Sequence, residues 1–345
     1  MREESRFALG RFRTPTTPDV VAVVVGDVAW PLAGGVSLGD LLARWDDALP
    51  ELQAAANRLA SGDAGLSLGD LHPLPPVVPT AQIFQAGANY RTHVLDLMAA
   101  AERREDGSDG MRDEERGKAR IALAERSRTG APFVFQGNAH AVIGAEDDVV
   151  LPYDGVQPDW ELELAVVIGR RARRVRREDA LAYVAGYTIA NDVTLRDRLR
   201  RADVPGGLDW LAAKNVPTFL PVGPLFVPAI HIEDPMDLQI TLQVNGIVMQ
   251  DESTEDMLFD VARLVEYLST VSELRPGDLV LTGSPAGNGA HHGTFLSPGD
   301  LMEGEITGLG RQRNRCVAEP VAGAQDAGTQ TQHRGAPALN DGSPS

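Results

Sequence analysis

Two residue types are scarce in this chain, cysteine and lysine. A single residue of the 345 is cysteine, Cys316, which excludes an intrachain disulfide and a zinc site built from cysteines. No motif surrounds it, so we expect a buried small hydrophobic residue there. Lysine occurs only at Lys118 and Lys214, and the other basic side chains are arginines. The lysine at 214 lies in an apolar region punctuated by glycine and proline, which makes it a candidate for a specific role.

Long apolar runs and an excess of positive charge are also missing. No run approaches the roughly 20 apolar residues that a membrane-spanning helix needs, and the opening MREESRFALGRFR has no apolar core of a signal peptide. The formal net charge is −17, whereas phosphate backbones are bound through clustered lysine and arginine. We therefore expect a cytoplasmic protein that binds neither nucleic acid nor a membrane.

A proline-rich stretch divides the chain. Residues 1–78 predict a small N-terminal domain, with a β-hairpin turning at Gly26-Asp27 and helical spacing from Leu38 to Leu59. The connector LHPLPPVVPT should be extended, because proline disfavours helix in the residue before it. Residues 79–320 then predict the main, catalytic domain, and residues 321–345 predict a disordered tail with little apolar content.

Strand-like segments dominate the main domain. They recur at 133–135, 149–151, 162–168, 183–190, 225–227, 238–244, 279–282 and 301–307. The best helical segments are 178–184 and 256–272, so we expect a mainly β architecture decorated by helices, an α+β fold. The charged residues 99–130 predict two helical pieces around a DGSDG loop, which form either a solvated insertion or a lid over a site.

Acidic side chains lie at the start of one of these strands. Glu161 and Glu163 flank the start of the apolar run 162–168, and alternate residues of a strand share a face. A third acid, Asp192, follows the next apolar segment. Buried carboxylates are costly without a positive partner, and hard divalent cations take oxygen ligands. The residues leave two interpretations open, a metal site or an amphipathic strand with one solvent-exposed, charged face.

Six segments, taken together and in order, resemble the fumarylacetoacetate hydrolase family. They cover most of residues 82–310 and read GANYRTH (87–93), DWELELAVVIG (159–169), YVAGYTIANDVTLRD (183–197), KNVPTFLPVGP (214–224), VNGIVMQDESTEDMLF (244–259) and LRPGDLVLTGSPAGNG (274–289). The resemblance implies rolled, mixed β-sheets around a metal site, a small N-terminal region and a homodimer. It also implies Mg²⁺, or Mn²⁺ or Ca²⁺, and chemistry on small oxo acids and 1,3-diketones.

The resemblance assigns roles to four of these residues. Glu161, Glu163 and Asp192 match the metal ligands of the family, and three carboxylates leave about three positions of an octahedral Mg²⁺ shell for water and substrate. Lys214 matches a catalytic lysine, here preceded by Ala213 instead of glycine. Its ammonium is expected to stabilise an enolate as charge develops on oxygen.

A histidine and an acid near a helix start complete the predicted catalytic group. His93 and Asp96 are three residues apart and therefore share a helix face. The family resemblance implies that Asp96 orients the ring while His93 takes a proton from water. The side chain of Arg91 is either a partner for a substrate carboxylate or a solvated surface group.

A glycine-rich loop and one glutamine are the remaining candidates for substrate binding. Thr282, Gly283 and Ser284 open the loop TGSPAGNG, whose small residues let backbone approach a ligand. A plain turn explains the glycines equally well. Gln250 is expected to face the pocket.

The leading hypothesis is a metal-dependent hydrolase that cleaves a C–C bond of a 2,4-dioxo acid, such as an acylpyruvate, or a related 1,3-diketone. The alternatives are an oxo-acid decarboxylase, isomerase or hydratase of the same family, and a non-catalytic member that only binds ligand. This last alternative depends on the region around Gln136, where many family members carry a lysine that this chain lacks.

Overall fold

The computed structural model describes residues 5–14, 16–62, 64–78, 82–106 and 112–320, without the side chains of 100–106. The predicted disordered tail, 321–345, and most of the DGSDG loop lie outside these ranges. Within them, no helix combines the length and the apolar character needed to cross a membrane.

The N-terminal part forms a small antiparallel sheet covered by helices. Its strands and helices are β1 (Ala8–Arg13), β2 (Val20–Val25), β3 (Val28–Pro31), α1 (Leu38–Leu42), α2 (Trp45–Leu59), β4 (Leu66–Ser67) and β5 (His72–Leu74). The predicted hairpin is confirmed, because β2 and β3 pair up to Val25↔Val28 around Gly26, which has φ +58°. The predicted helical stretch is split into α1 and α2.

The main part contains more strands than helices. In its first half the elements are β6 (Ile83–Gly87), α3 (Arg91–Asp106), α4 (Asp113–Thr129), β7 (Phe133–Gly137), β8 (Val142–Ile143), β9 (Val149–Leu151), β10 (Pro158–Asp159), β11 (Leu162–Ile168), β12 (Val184–Asn191) and β13 (Thr194–Leu195). In its second half they are α5 (Arg196–Leu199), α6 (Trp210–Lys214), β14 (Leu220–Pro221), β15 (Leu225–Pro228), β16 (Gln239–Val244), β17 (Ile247–Ser253), α7 (Val261–Val271), β18 (Leu279–Leu281), α8 (Gly289–His292), β19 (Leu301–Ile306) and β20 (Gly310–Ala318). The α+β prediction is confirmed.

One large sheet runs through both parts of the chain. Its hydrogen-bonded order is β4-β3-β2-β1-β15-β12-β11-β18-β6-β7, with β5 paired to β1. The N-terminal strands join it where β1 pairs with β15, at Leu9↔Phe226 and Gly10↔Leu225. Every residue of β11 and β12 is buried. Strands covered on both faces read as continuous apolar runs, which is why the sequence identified them readily.

A second sheet packs against the first. Its order is β17-β16-β19-β20-β9, and Leu162 of β11 shares one core cluster with Ile240 and Leu242 of β16. The sequence did not predict β20, because that strand buries polar side chains: Gln312 donates to three backbone carbonyls, those of Ile189, Pro221 and Gly223. Cys316 of β20 is fully buried, as expected.

The helices follow their predictions less closely than the strands. Segment 178–184 is a 3₁₀ helix, Arg177–Tyr183, and segment 256–272 contributes a 3₁₀ turn, Thr254–Asp256, before α7 begins. Asp260 caps α7 by accepting a hydrogen bond from the Arg263 amide. The two helical pieces predicted within 99–130 are confirmed as the end of α3 and as α4, although α3 already begins at Arg91.

Candidate metal centre and its cavity

Three carboxylates converge where β11 begins and β12 ends. Glu161 precedes β11, Glu163 is its second residue, and Asp192 follows β12, which pairs with β11 at Leu162↔Asn191. Each of the three acids offers one oxygen such that all three oxygens lie within 4.8 Å of one another, and all three residues are buried. The strand pairing therefore brings together the acids that the sequence predicted as metal ligands.

Two cations neutralise this group from opposite sides. The Lys214 ammonium donates to Glu161 Oε2 at 2.5 Å, to Asp192 Oδ2 at 2.6 Å and to the Asp192 carbonyl at 3.1 Å. The Arg196 guanidinium donates to Glu161 Oε1 at 2.5 Å and to Asp159 Oδ2 at 2.8 Å. Lys214 is buried, so the lysine singled out by its rarity lies at the centre of the site.

Burial and mutual repulsion set the charge states of the carboxyl groups. Burial alone would raise the pKa of Glu161, but the charges of Lys214 and Arg196 outweigh it and lower the pKa to about 2. Burial, the charge of Asp192 and that of Glu161 raise the pKa of Glu163 well above its usual range. Burial also raises the pKa of Asp192, to about 6, against the effect of Lys214. The three carboxyl groups therefore lie too close together to ionise fully without a further positive charge beside them.

The donor set fits a divalent metal ion. It consists of carboxylate oxygens, which are the ligands that Mg²⁺, Mn²⁺ and Ca²⁺ prefer. The Lys214 ammonium, itself a cation, already lies between two of these carboxylates. Further hydrogen bonds orient the ligands: Gln85 Nε2 donates to Asp192 Oδ1 at 2.6 Å, and the Gly283 amide donates to Glu163 Oε2 at 2.7 Å. Such outer contacts hold metal ligands in position.

A cavity of about 520 Å³ opens from the carboxylates toward the surface. Glu161, Asp192, Lys214 and Arg196 lie at its inner end. The other walls are largely apolar and are formed by Leu97, Phe133, Phe135, Leu199, Leu208, Trp210 and Phe295. The rings of Phe135 and Trp210 are stacked, with centroids 4.3 Å apart and planes at 16°.

The predicted catalytic pair, His93 and Asp96, lines this cavity on α3. Burial lowers the pKa of His93 to about 4, and the charges of Arg196, Lys214 and His291 add to this while Glu161 opposes it. The ring is thus neutral near pH 7. The ion pair that the structure gives Asp96 is with His291 of α8, at 3.4 Å between Oδ2 and Nδ1. The orientation of His93 by Asp96 stays a prediction.

The residues predicted to bind substrate divide into two sets. Ser284 lines the cavity, but Thr282, Gly283 and Gln250 lie behind its wall. Gln250 links the loop to β11, because its Oε1 accepts from the Leu162 amide and its Nε2 donates to Ser284 Oγ. Thr282 donates through its hydroxyl to the Leu164 carbonyl. These contacts position the loop.

Arg91 is another predicted site residue that does not line the cavity. Its guanidinium donates to the backbone carbonyl of Glu255 at 2.9 Å. Its predicted contact with a substrate carboxylate therefore has no support from its position.

Several cavity residues were missed by the sequence reasoning. Arg196 belongs to the motif YVAGYTIANDVTLRD, where an arginine four residues after the metal-binding acid was a signal that we did not use. Asp159 accepts hydrogen bonds from Arg196 and from the amides of Gly289 and Ala290, which ties the start of α8 to the site. His291 also lines the cavity, and no sequence spacing connects it with Asp96.

The structure thus combines two mixed β-sheets with a buried group of three carboxylates that could hold a metal ion, a buried lysine and an adjoining cavity. The family model of the fumarylacetoacetate hydrolase C-terminal domain matches residues 82–317. The chain therefore belongs to the fumarylacetoacetate hydrolase family, an enzyme family that includes tautomerases, isomerases and hydrolases.

Two of the relatives are named as mitochondrial oxaloacetate tautomerases. A mitochondrial oxaloacetate tautomerase of Bos taurus is 41% identical over 189 residues, 54% of this chain and 59% of that protein. Another, from Xenopus laevis, is 32% identical over 268 residues, 77% of this chain and 75% of that protein. The chain spans less than two thirds of the bovine relative, and both names include a mitochondrial location. The cytoplasmic location of this chain therefore stays a prediction.

Two solved structures show the same fold. One is a 5-carboxymethyl-2-hydroxymuconate delta-isomerase from Mycobacterium smegmatis, with a TM-score of 0.65, 28% identity, and coverage of 91% of this chain and 100% of the other. The other is a maleylpyruvate hydrolase from Sphingobium, with a TM-score of 0.67, 25% identity, and coverage of 90% and 100%. An isomerase and a hydrolase are thus equally similar in fold, so the fold does not select the reaction.

Proposed function

We propose that this protein is a divalent-metal-dependent enzyme that interconverts the keto and enol forms, or the double-bond isomers, of a 2-oxo acid. The observation that carries the proposal is the Lys214 ammonium, which lies between Glu161 and Asp192 at the inner end of the cavity. Every such interconversion passes through an enolate, whose oxygen needs a nearby positive charge. The oxaloacetate tautomerases among the relatives support the same reaction class.

Glu161, Glu163 and Asp192 would hold the cation, with Mg²⁺ as the first choice and Mn²⁺ or Ca²⁺ as alternatives. When bound there, the cation would supply Lewis-acid polarisation of the substrate's oxo and carboxylate oxygens. Lys214 stabilises the negative charge that develops on the oxygen. Its own positive charge is secure, because the neighbouring carboxylates raise the pKa of Lys214 despite its burial.

A proton must leave the carbon next to the oxo group and return to another atom. The neutral imidazole of His93 can accept this proton on a ring nitrogen, while the electron pair of the C–H bond moves to form the enolate. Proton delivery to oxygen or to the remote carbon then completes the exchange. His291, whose Nδ1 lies 3.4 Å from Asp96 Oδ2, lines the same cavity.

The direct test follows the enol absorbance of oxaloacetate in the presence of the protein and added Mg²⁺. We expect acceleration of ketonisation that chelation with EDTA removes and that Glu163→Gln reduces at least a hundredfold. Glu305→Gln, at an exposed position of β19, is the matched control and should retain full activity. A rate that neither Mg²⁺, Mn²⁺ nor Ca²⁺ raises above the uncatalysed reaction would contradict the proposal.

Hydrolysis of a C–C bond in an acylpyruvate is the second candidate, and the cavity position of His93 favours it. A neutral histidine can take a proton from water, which then attacks the 4-carbonyl while Lys214 stabilises the departing enolate. His93→Ala should abolish such cleavage and leave cation binding intact. Acylpyruvates that bind without turnover, together with no ketonisation of oxaloacetate, would instead favour the ligand-binding alternative.

The expected homodimer can be tested independently by light scattering of the purified chain. A mass near twice the 36.9 kDa of the chain is the expected result.

A further inference from the structure

One buried side chain beside the candidate metal ligands is polar but uncharged, and only one end of its amide is paired. Gln85 of β6 is 1% exposed, and its Nε2 donates to Asp192 Oδ1 at 2.6 Å. Its Oε1 is also buried and has no hydrogen-bond partner within the part of the chain that the structure describes. A buried acceptor without a partner lowers stability, and a methionine would fill a similar volume without that cost. The amide at this position therefore points to a role for its N–H group.

The hydrogen bond from Gln85 completes the fixing of the Asp192 carboxylate. Lys214 Nζ donates to Asp192 Oδ2 at 2.6 Å, so the two carboxylate oxygens accept hydrogen bonds from two different side chains. A carboxylate held at both oxygens cannot rotate freely about its Cβ–Cγ bond. Because a carboxylate oxygen has two lone pairs, each oxygen keeps one for a cation.

Gln85 differs from Lys214 and Arg196 in having no charge. Lys214 and Arg196 each bring one positive charge to the carboxylates. The attraction between the carboxylates and a divalent cation grows with their net negative charge, which a further ammonium or guanidinium would reduce. An amide orients Asp192 and leaves that charge for the cation.

A glycine on the neighbouring strand makes room for this amide. β6 and β7 are paired, with Ile83 opposite Gly137. A Cβ added at Gly137 would lie 2.5 Å from Gln85 Oε1, 3.0 Å from Gln85 Cδ and 3.1 Å from Ile83 Cγ2. Gly137 lies within a strand and its φ is not positive, so the backbone itself would accept alanine. The group that a methyl at this position displaces is the Gln85 amide, and with it the donor to Asp192.

We propose that Gln85 is a positioning residue of the candidate metal centre, where its uncharged amide, placed against Gly137, orients Asp192 without reducing the negative charge that attracts the cation. Gln85 does not line the cavity, so it acts through Asp192 and not on the substrate. The assignment rests on the proposed function, because Asp192 has to be a cation ligand.

The test measures the binding of Mg²⁺ and of Mn²⁺ to the full-length protein by calorimetry. Gln85→Met keeps a similar side-chain volume but removes the donor, and we expect the affinity to fall about 10–100-fold, the usual effect of losing a contact that orients a metal ligand. Gln85→Lys keeps a donor but adds a positive charge, so we expect a larger fall than for Gln85→Met. Gly137→Ala should resemble Gln85→Met, because the added methyl displaces the amide.

A double variant shows whether Gly137 acts through the amide. Gln85→Ala removes the group that the methyl would displace, so Gly137→Ala should cause no further loss of affinity in that background. A further loss as large as that caused by Gly137→Ala alone would overturn the link between the two residues.

Gln82→Met is the matched control. Gln82 immediately precedes β6, and its Nε2 also donates to a carboxylate oxygen, Asp278 Oδ2, at 2.8 Å, but Asp278 is not a candidate ligand. This variant should bind both cations as the unchanged protein does. Unchanged affinity in Gln85→Met and Gln85→Lys, or an equal loss in Gln82→Met, would overturn the assignment alone. No cation binding by the unchanged protein would overturn the proposed function as well.

Discussion

The inner and outer ends of the cavity are built in different ways. At the inner end, the acids lie at the ends of β11 and β12, and each carboxylate accepts hydrogen bonds from a fixed partner such as Lys214 or the Gly283 amide. At the outer end, short helices and the bridged residues Arg200 and Leu208 form the wall. Leu208 and Phe133 there are 47% and 43% exposed.

This difference separates two tasks. Candidate metal ligands need fixed positions, which central strands of a sheet supply. Lys214, at the end of the short helix α6, is held by its hydrogen bonds to Glu161 and Asp192. Recognition of the remote part of a substrate tolerates movement and is typically carried by loops on a rigid scaffold. We therefore expect changes at the inner end to affect turnover and stability, and changes at the outer end to affect mainly substrate affinity.

Replacement of Lys214 by methionine should have the largest effect. Loss of the ammonium removes stabilisation of the enolate oxygen, and we expect kcat to fall by about 10²–10³-fold. The carboxylates also lose their buried counter-charge, so the cation-free variant should unfold at lower temperature and recover part of the loss on addition of Mg²⁺.

The other lysine of the chain provides the control for this prediction. Lys118 is exposed on α4 and pairs with Glu114, so Lys118→Met should leave kcat and thermal stability nearly unchanged. Equal kcat values for the two variants would show that the inner end does not depend on its ammonium.

Gly283→Ala should destabilise the inner end. Gly283 has φ +93°, and an added Cβ would lie 2.9 Å from the Ala86 carbonyl oxygen and 3.0 Å from Asn89 Cβ. We expect a loss of about 1–3 kcal/mol in the free energy of unfolding, measured by urea denaturation. Gly117→Ala, within α4 and with open space around its Cα, should be neutral or slightly stabilising. A stable Gly283→Ala variant would mean that the loop is less rigid than the inner end requires.

Cation affinity should depend on pH through the carboxyl groups. The pKa of Asp192 is raised to about 6 and that of Glu163 is raised well above its usual range, so both hold protons at acidic pH that a cation must displace. We expect the association constant for Mg²⁺ to fall about tenfold per pH unit for each proton displaced, and therefore about a hundredfold per unit below about pH 6, where both groups are protonated.

Stability of the cation-free protein should change in the opposite direction. The folded-state pKa values of these groups lie above their unfolded values, so their favourable contribution is lost as the pH rises through the folded-state pKa. Calorimetric titrations with Mg²⁺ on either side of pH 6 test the predicted affinity. Melting curves of the cation-free protein over the same pH range test the predicted stability. A pH-independent Mg²⁺ affinity would rule out proton displacement.

Trp210→Leu should have the smallest of these effects. The indole stacks on Phe135 in the apolar wall of the cavity, and such pairs contribute about 0.5–1.5 kcal/mol beyond simple burial. We expect KM to rise several-fold while kcat stays within about twofold, because an apolar wall contact stabilises ground and transition states alike. A large fall in kcat would instead show that the outer wall positions Lys214, whose ammonium lies 5.9 Å from the Phe135 ring centre.

The inner end was largely predictable from sequence, and the outer end was not. Glu161 and Glu163 flank an apolar strand, and Asp192 follows the strand that pairs with it, so local pattern and motif order identified them. The Asp96–His291 pair joins positions far apart in the chain. Strand β20 was not predicted from the sequence because several of its buried side chains are polar.

The pairing of β1 with β15 has a consequence for how the chain can be divided. The sequence marks a boundary near residue 78, but the hydrogen bonds at Leu9↔Phe226 and Gly10↔Leu225 close the edge of the large sheet across that boundary. Removal of the first 78 residues would leave β15 as an open edge beside the fully buried β12, and exposed edges of this kind recruit strands from other molecules. We therefore expect a chain that lacks these residues to aggregate more readily than the full chain.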